Sequence, residues 1–209
     1  MKTGSVIVAG LESALDVIRA RHPDVPRPVI TLAGSRRKWG HYAHNRWDAG
    51  GTAVPELFIS GEGLRRGAPG TFATLLHEAA HGIGAARGIQ DTSRDGRYHN
   101  RRFKALAEEV GLHVEQDGSR GWTATTQPPA TFDAYAQAIG KLDKAIQAWR
   151  QGETSTRPPS RNLALAFCAC DPARRIRVAP ATFGLGGIAC LVCESLFTVT
   201  ADVANGDTA

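Results

Sequence analysis

The stretch with the most chemical content is His77-Glu78-Ala79-Ala80-His81. On an α-helix His77 and His81 lie one turn apart on one face, so two imidazoles reach the same tetrahedral ion. Glu78 stands about 100° round the helix from His77 and roughly 60° from His81. Its carboxylate therefore falls beside such an ion rather than on it. From there it can take a proton from an attacking water and return it to a leaving amine, while the ion polarises the carbonyl. The pattern points to amide hydrolysis at a catalytic zinc, with Glu78 as the catalytic residue.

A second set of ligating residues comprises Cys168 and Cys170, then Cys190 and Cys193, which are all the cysteines of the chain. Two close pairs on tight turns, separated by a hairpin-sized stretch, resemble a zinc ribbon and can complete a tetrahedron of thiolates. Four ligands leave no open position, so a structural zinc there stabilises and does not catalyse. The first pair is C-x-C rather than the commoner C-x-x-C. A disulfide alternative conflicts with the reducing compartment inferred below. Between the pairs, Arg174, Arg175 and Arg177 put three cations on a small module. They read either as nucleic-acid-binding residues or as a solvated strand edge protected by charge.

The histidine site needs elements that hold it. Phe72, Leu75, Leu76, Ala79 and Ile83 form an apolar stripe facing away from His77 and His81, as an amphipathic helix requires. Thr71 can cap its start and Gly88 can end it. A catalytic zinc has three protein ligands and one open position, so a third ligand is needed. His99 fits best, because it precedes a second amphipathic helix with Asn100 as a cap and Phe103, Leu106, Ala107 and Val110 at i, i+3, i+4 and i+7. Asp91, Asp95 and His113 are the rivals.

With HEAAH followed after a loop by His99-Asn100-Arg101-Arg102-Phe103, the chain resembles the SprT-like zinc metalloproteases, in which HExxH is followed by a short His-x-x-x-Phe segment. The resemblance runs back through residues 54–60, similar to the strand before the family's active-site helix, and forward to the four cysteines. It covers roughly residues 25–113 and 160–200. It implies a zincin-like domain in which the three histidines bind zinc and the glutamate is the general base. It also implies a protein substrate, with single-stranded DNA as a partner, since members of the family digest proteins crosslinked to DNA.

The 209-residue chain has room for one main domain and a small module, and 42% apolar content supports a folded core. A net charge of +5 suits nucleic acid or another acidic partner. No apolar run approaches the ~20 residues of a membrane span and the N-terminus lacks a signal-peptide core, so no membrane and a cytoplasmic location are expected. There is no Gly-rich phosphate loop with its lysine, which argues against nucleotide hydrolysis.

In chain order, residues 5–22 read as a helix ended by Pro23, Pro26 and Pro28, and 29–32 as a strand. Residues 36–42 and 45–47 suggest a second strand and its turn, and 54–60 a third that could serve as the substrate-aligning edge. Trp39, Tyr42 and Trp47 read as core or rim packing, with base stacking beside Arg36, Arg37 and Lys38 as the alternative. Residues 114–130 look like a linker. Phe132, Tyr135, Ile139, Leu142, Ile146 and Trp149 recur at steps of three and four, a seam that must dock on the protease domain or on a partner. A second linker is expected at 151–160.

The expected architecture is α+β: a zincin-like metalloprotease domain at 1–113, a linker and amphipathic helix at 114–160, and a zinc-ribbon module at 161–209. A non-proteolytic nucleic-acid-binding or regulatory protein on a metal-stabilised scaffold is the alternative function, and a hydrolase of small molecules or peptidoglycan is a third. Tyr98 and His113 are candidate oxyanion donors. The sequence leaves the oligomeric state open.

Overall fold

Apolar residues at positions 7, 11, 14, 15 and 18 recur at helical spacing, and all five are buried on one side of helix α1 (Thr3–Arg21). His22 closes the helix, and Pro23 after it cannot continue it. The computed structural model describes residues 2–35, 37–152 and 163–199. Arg36 and most of the linker expected at 151–160 lie outside the described residues. The chain divides into two compact units, Met1–Gly152 and Glu153–Ala209, each mixed α and β. Among the described residues no helix is long and apolar enough to cross a membrane.

In the first unit, strands β1 (Val29–Ala33), β2 (Gly40–Ala49) and β3 (Thr52–Ser60) form a sheet of order β1-β3-β2. β1 runs parallel to β3, with Ile30 opposite Leu57, and β2 runs antiparallel to β3, with Gly40 opposite Ile59. Residues 54–60 are therefore central, and β1 and β2 are the two edge strands. The expected turn at 45–47 is instead a register irregularity between Ala43 and Trp47 within β2. The chain reverses one strand end later, at Gly50 and Gly51, whose φ angles of 64° and 85° meet the positive-φ demand of a tight hairpin turn.

Helix α2 (Gly67–Ala86) follows a short 3-10 turn. It starts one turn earlier than the sequence suggests. Thr71 is not its cap but lies inside it, buried, with a hydroxyl that has no partner. The stripe Phe72, Leu75, Leu76, Ala79 and Ile83 is buried as expected, and Gly88 follows the helix with φ 64°. Strands β4 (Thr92–Ser93) and β5 (Tyr98–His99) lead into helix α3 (Arg101–Glu109). Asn100 caps α3, its side-chain oxygen accepting from the backbone N–H groups of Arg102 and Phe103.

Residues 114–130 are not a linker. β6 (His113–Asp117) and β7 (Gly121–Thr126) pair antiparallel and join a sheet of order β4-β5-β7-β6. The expected long seam is broken into α4 (Pro129–Ala134) and α5 (Ala136–Ala145). Tyr135, Ile139 and Leu142 are buried in the core of the first unit, while Phe132 and Trp149 stay exposed. Each buried seam side chain contributes roughly 1.5–3 kcal/mol. Tyr135 anchors the break, its ring 4.9 Å from that of Phe72 and its hydroxyl 3.2 Å from His22 Nε2. The seam thus docks within its own unit, whose compact body reaches Gly152 rather than stopping at 113.

The end of this unit is pinned by Arg150. Its backbone N–H donates to the Gly61 carbonyl at 2.9 Å, and its guanidinium pairs with Glu62. The Glu62 carboxylate is 7% exposed and also accepts from the Ser35 N–H and the Ser60 hydroxyl. The Ser35 N–H leads these bonds in holding the Glu62 carboxyl down at about 2.

The second unit contains a sheet of order β10-β8-β9, from β8 (Ala164–Phe167), β9 (Arg175–Val178) and β10 (Thr198–Val199), with a short helix α6 (Pro180–Phe183). Ala166 and Phe197 pack with Cys168 and Cys190 in its small core.

Candidate metal centres

Helix α2 carries His77 and His81 on one face, and β5 delivers His99 to them from another element. One atom from each of the three lies within 4.8 Å of the others. His81 Nε2 and His99 Nε2 are 3.1 Å apart. With zinc–nitrogen bonds of about 2.0–2.1 Å, neighbouring ligands in a tetrahedron sit roughly 3.3 Å apart, so this spacing suits a shared ion. The outward nitrogens are also held. His77 Nδ1 is 3.1 Å from the Thr125 hydroxyl, and His81 Nδ1 is 2.6 Å from Asp91 Oδ2. His99 Nδ1 is buried without a partner. The set fits a metal such as zinc.

Phe103 is the floor under this triad. Its ring centroid lies 4.7, 4.6 and 4.5 Å from those of His77, His81 and His99, and the residue is fully buried. His99 is fixed from the other side by backbone: its N–H donates to the Arg120 carbonyl at 2.9 Å, and it pairs with Gly121 across β5 and β7. Gly121 has φ 77°, and a Cβ there would fall 2.1 Å from the His99 carbonyl oxygen, so only glycine allows this approach.

The electrostatics suit ligation. Burial, reinforced by His81 and His99, takes His77 well below its ordinary range. Burial and the neighbouring His81 bring His99 down to about 4. Both are neutral at pH 7, the state a metal needs. Burial pulls His81 the same way and is the largest single influence, but the hydrogen bond to Asp91 together with the negative charges of Glu78 and Asp91 outweighs it, and the net shift is upward. Glu78 is 5% exposed and burial pushes it up to about 7, against the opposing pull of His81 and of the Tyr42 N–H it accepts. Gly40 makes room for that carboxylate, because a Cβ there would lie 2.5 Å from Glu78 Oε1.

The structure sorts the rivals. Asp91 is not in the triad but orients His81 from behind. Its carbonyl also accepts from the Asn100 N–H at 3.0 Å, tying it to the cap beside His99. Asp95 is exposed in a turn, and His113 is exposed and pairs with Glu115 at 3.4 Å. The Tyr98 ring lies against Gly121 and under Arg94. His113 is not gathered with the three histidines. Thr125 was hidden in a stretch that reads as a linker. Asp91, ten residues past His81 across an irregular loop, has no spacing that would mark it as a support. Partners behind a metal-binding histidine typically contribute 10–100-fold in metal affinity. Asp91→Asn is expected to weaken zinc binding at the histidine site by about that factor while leaving the cysteine site filled. Competition with a chelating indicator reads this directly, and an unchanged affinity refutes the orienting role.

In the second unit one atom from each of Cys168, Cys170, Cys190 and Cys193 lies within 4.8 Å of the others, and all four are free thiols. Cys170 Sγ and Cys190 Sγ are 3.8 Å apart, close to the roughly 3.8 Å edge of a tetrahedron with zinc–sulfur bonds of about 2.3 Å. The Ser195 hydroxyl, 2.9 Å from Cys193 Sγ, leads the effects that bring this thiol down to about 6. The Val192 and Cys193 N–H groups lower Cys190. Cys190 and Cys193 are thereby prepared for a cation, while hydrogen bonding with Cys168 pushes Cys170 up to about 12. The arginines divide. Arg175 and Arg177 are exposed on the edge strand β9, whereas Arg174 Nη1 lies 3.7 Å from Cys190 Sγ and faces the thiols instead. The chain matches no family model, no curated protein and no solved structure.

Proposed function

We propose that this chain is a zinc-dependent endopeptidase of the SprT-like type: a zincin-like domain in which His77, His81 and His99 hold the catalytic ion, followed by a zinc-ribbon-like module whose four cysteines hold a structural one. The observation that carries the reading is the convergence of three imidazole nitrogens beside a single buried carboxylate. A bound zinc supplies the Lewis acidity that polarises the scissile carbonyl and acidifies the attacking water. The chain supplies the rest. Glu78, aimed by the Tyr42 N–H, takes the proton from water and passes it to the leaving amine. The outer edge of β2 at residues 40–43, packed beside α2, aligns an extended substrate by main-chain pairing through the groups other than the Tyr42 N–H that Glu78 holds. Purified protein is expected to hold two zinc ions and to cleave an unfolded protein such as casein. A chelator should stop cleavage, and zinc should restore it. Substrate left intact by a chain carrying both ions would refute the endopeptidase.

Protein held on DNA is the proposed substrate class, drawn from the resemblance and from the net charge of +5. Phosphate contact is assigned to Arg175 and Arg177, with Arg174 turned to the thiols. Two contacts to a single strand give a slope of about −1.4 in log K against log salt, at roughly −0.7 each. The Arg175→Ala/Arg177→Ala protein is expected to lose that part of the slope and keep its zinc. A salt titration with unchanged slope removes this strand from DNA recruitment.

A further inference from the structure

Beside Glu78, the start of β2 and the beginning of α2 bring together two cations and one indole, and among the described residues no carboxylate pairs with Arg66. The Arg66 guanidinium stacks over Trp39, 4.9 Å from the ring centroid. Its Nε donates to the Gly63 carbonyl at 3.3 Å and its Nη2 to the Thr74 hydroxyl. These contacts fix the plane of the group, and among the described residues Nη1 makes no hydrogen bond and no acid pairs with Arg66. Glu62, near in sequence, is committed to Arg150, Ser35 and Ser60. Trp39 is 42% exposed, and Lys38, the residue before it, has its ammonium 5.9 Å from the Phe58 ring centroid and close enough for its charge to act on Glu78.

The location gives this cluster its meaning. Gly40, the residue after Trp39, lies directly against Glu78 and Thr74: a Cβ there would be 2.5 Å from Glu78 Oε1 and 2.6 Å from Thr74 Cγ2. Arg66 holds that same Thr74. The free edge of β2 begins at Gly40, so an extended chain paired on residues 40–43 has Trp39 and Arg66 at its next side-chain position. Building on the endopeptidase reading, we propose that Trp39 and Arg66, with the neighbouring Lys38, form a subsite for an acidic side chain of the substrate polypeptide, beside the bond to be cut. A carboxylate would take the free Nη1 side of a guanidinium already fixed by its other bonds. A peptide fits better than a nucleic acid, because the edge offers main-chain donors and acceptors and Arg66 already covers one indole face.

The test uses full-length, zinc-loaded Glu78→Gln protein, which leaves peptides uncut, and labelled 12-residue peptides carrying Glu, Gln or Lys at each position in turn. Fluorescence anisotropy is expected to show Glu favoured over Gln by about tenfold at one register, with Lys weakest. Arg66→Gln should erase the preference, and Arg66→Glu should invert it. Equal affinities at every register, no binding, or a preference that survives both substitutions would overturn the subsite. The parent protein's own discrimination decides the matter if either variant fails to fold. Arg66-dependent binding of a single-stranded oligonucleotide without discrimination among peptides would also overturn it, in favour of nucleic acid. Preference for Glu without cleavage by the wild type would leave the subsite standing and remove the endopeptidase. Cleavage without preference would do the reverse.

Discussion

Zinc-loaded Glu78→Gln protein is expected to keep both ions and lose hydrolysis by about 10²–10⁴-fold, the usual contribution of general acid–base catalysis. The substitution is nearly isosteric in a buried position, and its amide oxygen can still accept from the Tyr42 N–H, so the pocket survives. What disappears is the ability to take a proton. The metal-free protein should carry a second signature. Burial raises Glu78 from 4.5 to about 7, so folding favours its protonated form. That contribution is fully present below pH 4.5 and is lost as pH rises through 7, on the order of 3 kcal/mol in all. Glutamine has no charge to bury. Metal-free Glu78→Gln should therefore unfold at a higher temperature than metal-free wild type at pH 8, with the difference closing near pH 4.5. Activity within threefold of wild type would remove Glu78 as the base, and coincident melts at pH 8 would show that its carboxylate is not confined as described.

Phe103→Ala should have the largest effect on stability. The ring is fully buried and touches all three imidazoles. Truncating such a residue typically costs about 3–5 kcal/mol, a large part of the 5–15 kcal/mol that holds an ordinary domain together. The three histidines would also lose the surface that sets their ring planes. The expected result is a melting temperature lower by roughly 10 °C and weaker zinc binding at the histidine site, with the cysteine site unaffected. Phe103→Leu should recover most of the stability. A loss below 1 kcal/mol for the alanine variant would mean that the ring is a bystander.

The legible parts of this protein are those where one strong pattern acts alone. HEAAH on an apolar stripe and the Asn100 cap before Phe103, Leu106 and Ala107 could be read because helical periodicity and capping are local. The β6–β7 hairpin could not, because Val114 is its only fully buried large side chain and Trp122 is only partly covered, so no alternating pattern stands out. Yet that hairpin supplies Thr125 and the backbone that seats His99. The strand order was also hidden. Residues 54–60 are apolar enough for an edge or a centre, and only the parallel pairing of β1 with β3 makes them central. The seam at 132–149 was overextended because its spacing continues past Tyr135 and Ala145, where the backbone leaves the helix.

The anchoring of Tyr135 against the end of α1 has a consequence for synthesis. Arg21 donates to the Ala134 carbonyl, and His22 meets Tyr135, across 113 residues of sequence. Until that later stretch has been made, the apolar face of α1 that receives α5 has no cover, and neither the hairpin behind His99 nor the Arg150 clasp on Glu62 exists. A nascent chain of this protein must therefore carry an exposed greasy helix until the stretch around Tyr135 has been made. Contacts this distant in sequence close slowly, and the waiting surface is a binding site for chaperones and a seed for aggregation. A fragment ending at residue 113 would keep all three histidines and yet be left permanently in that state.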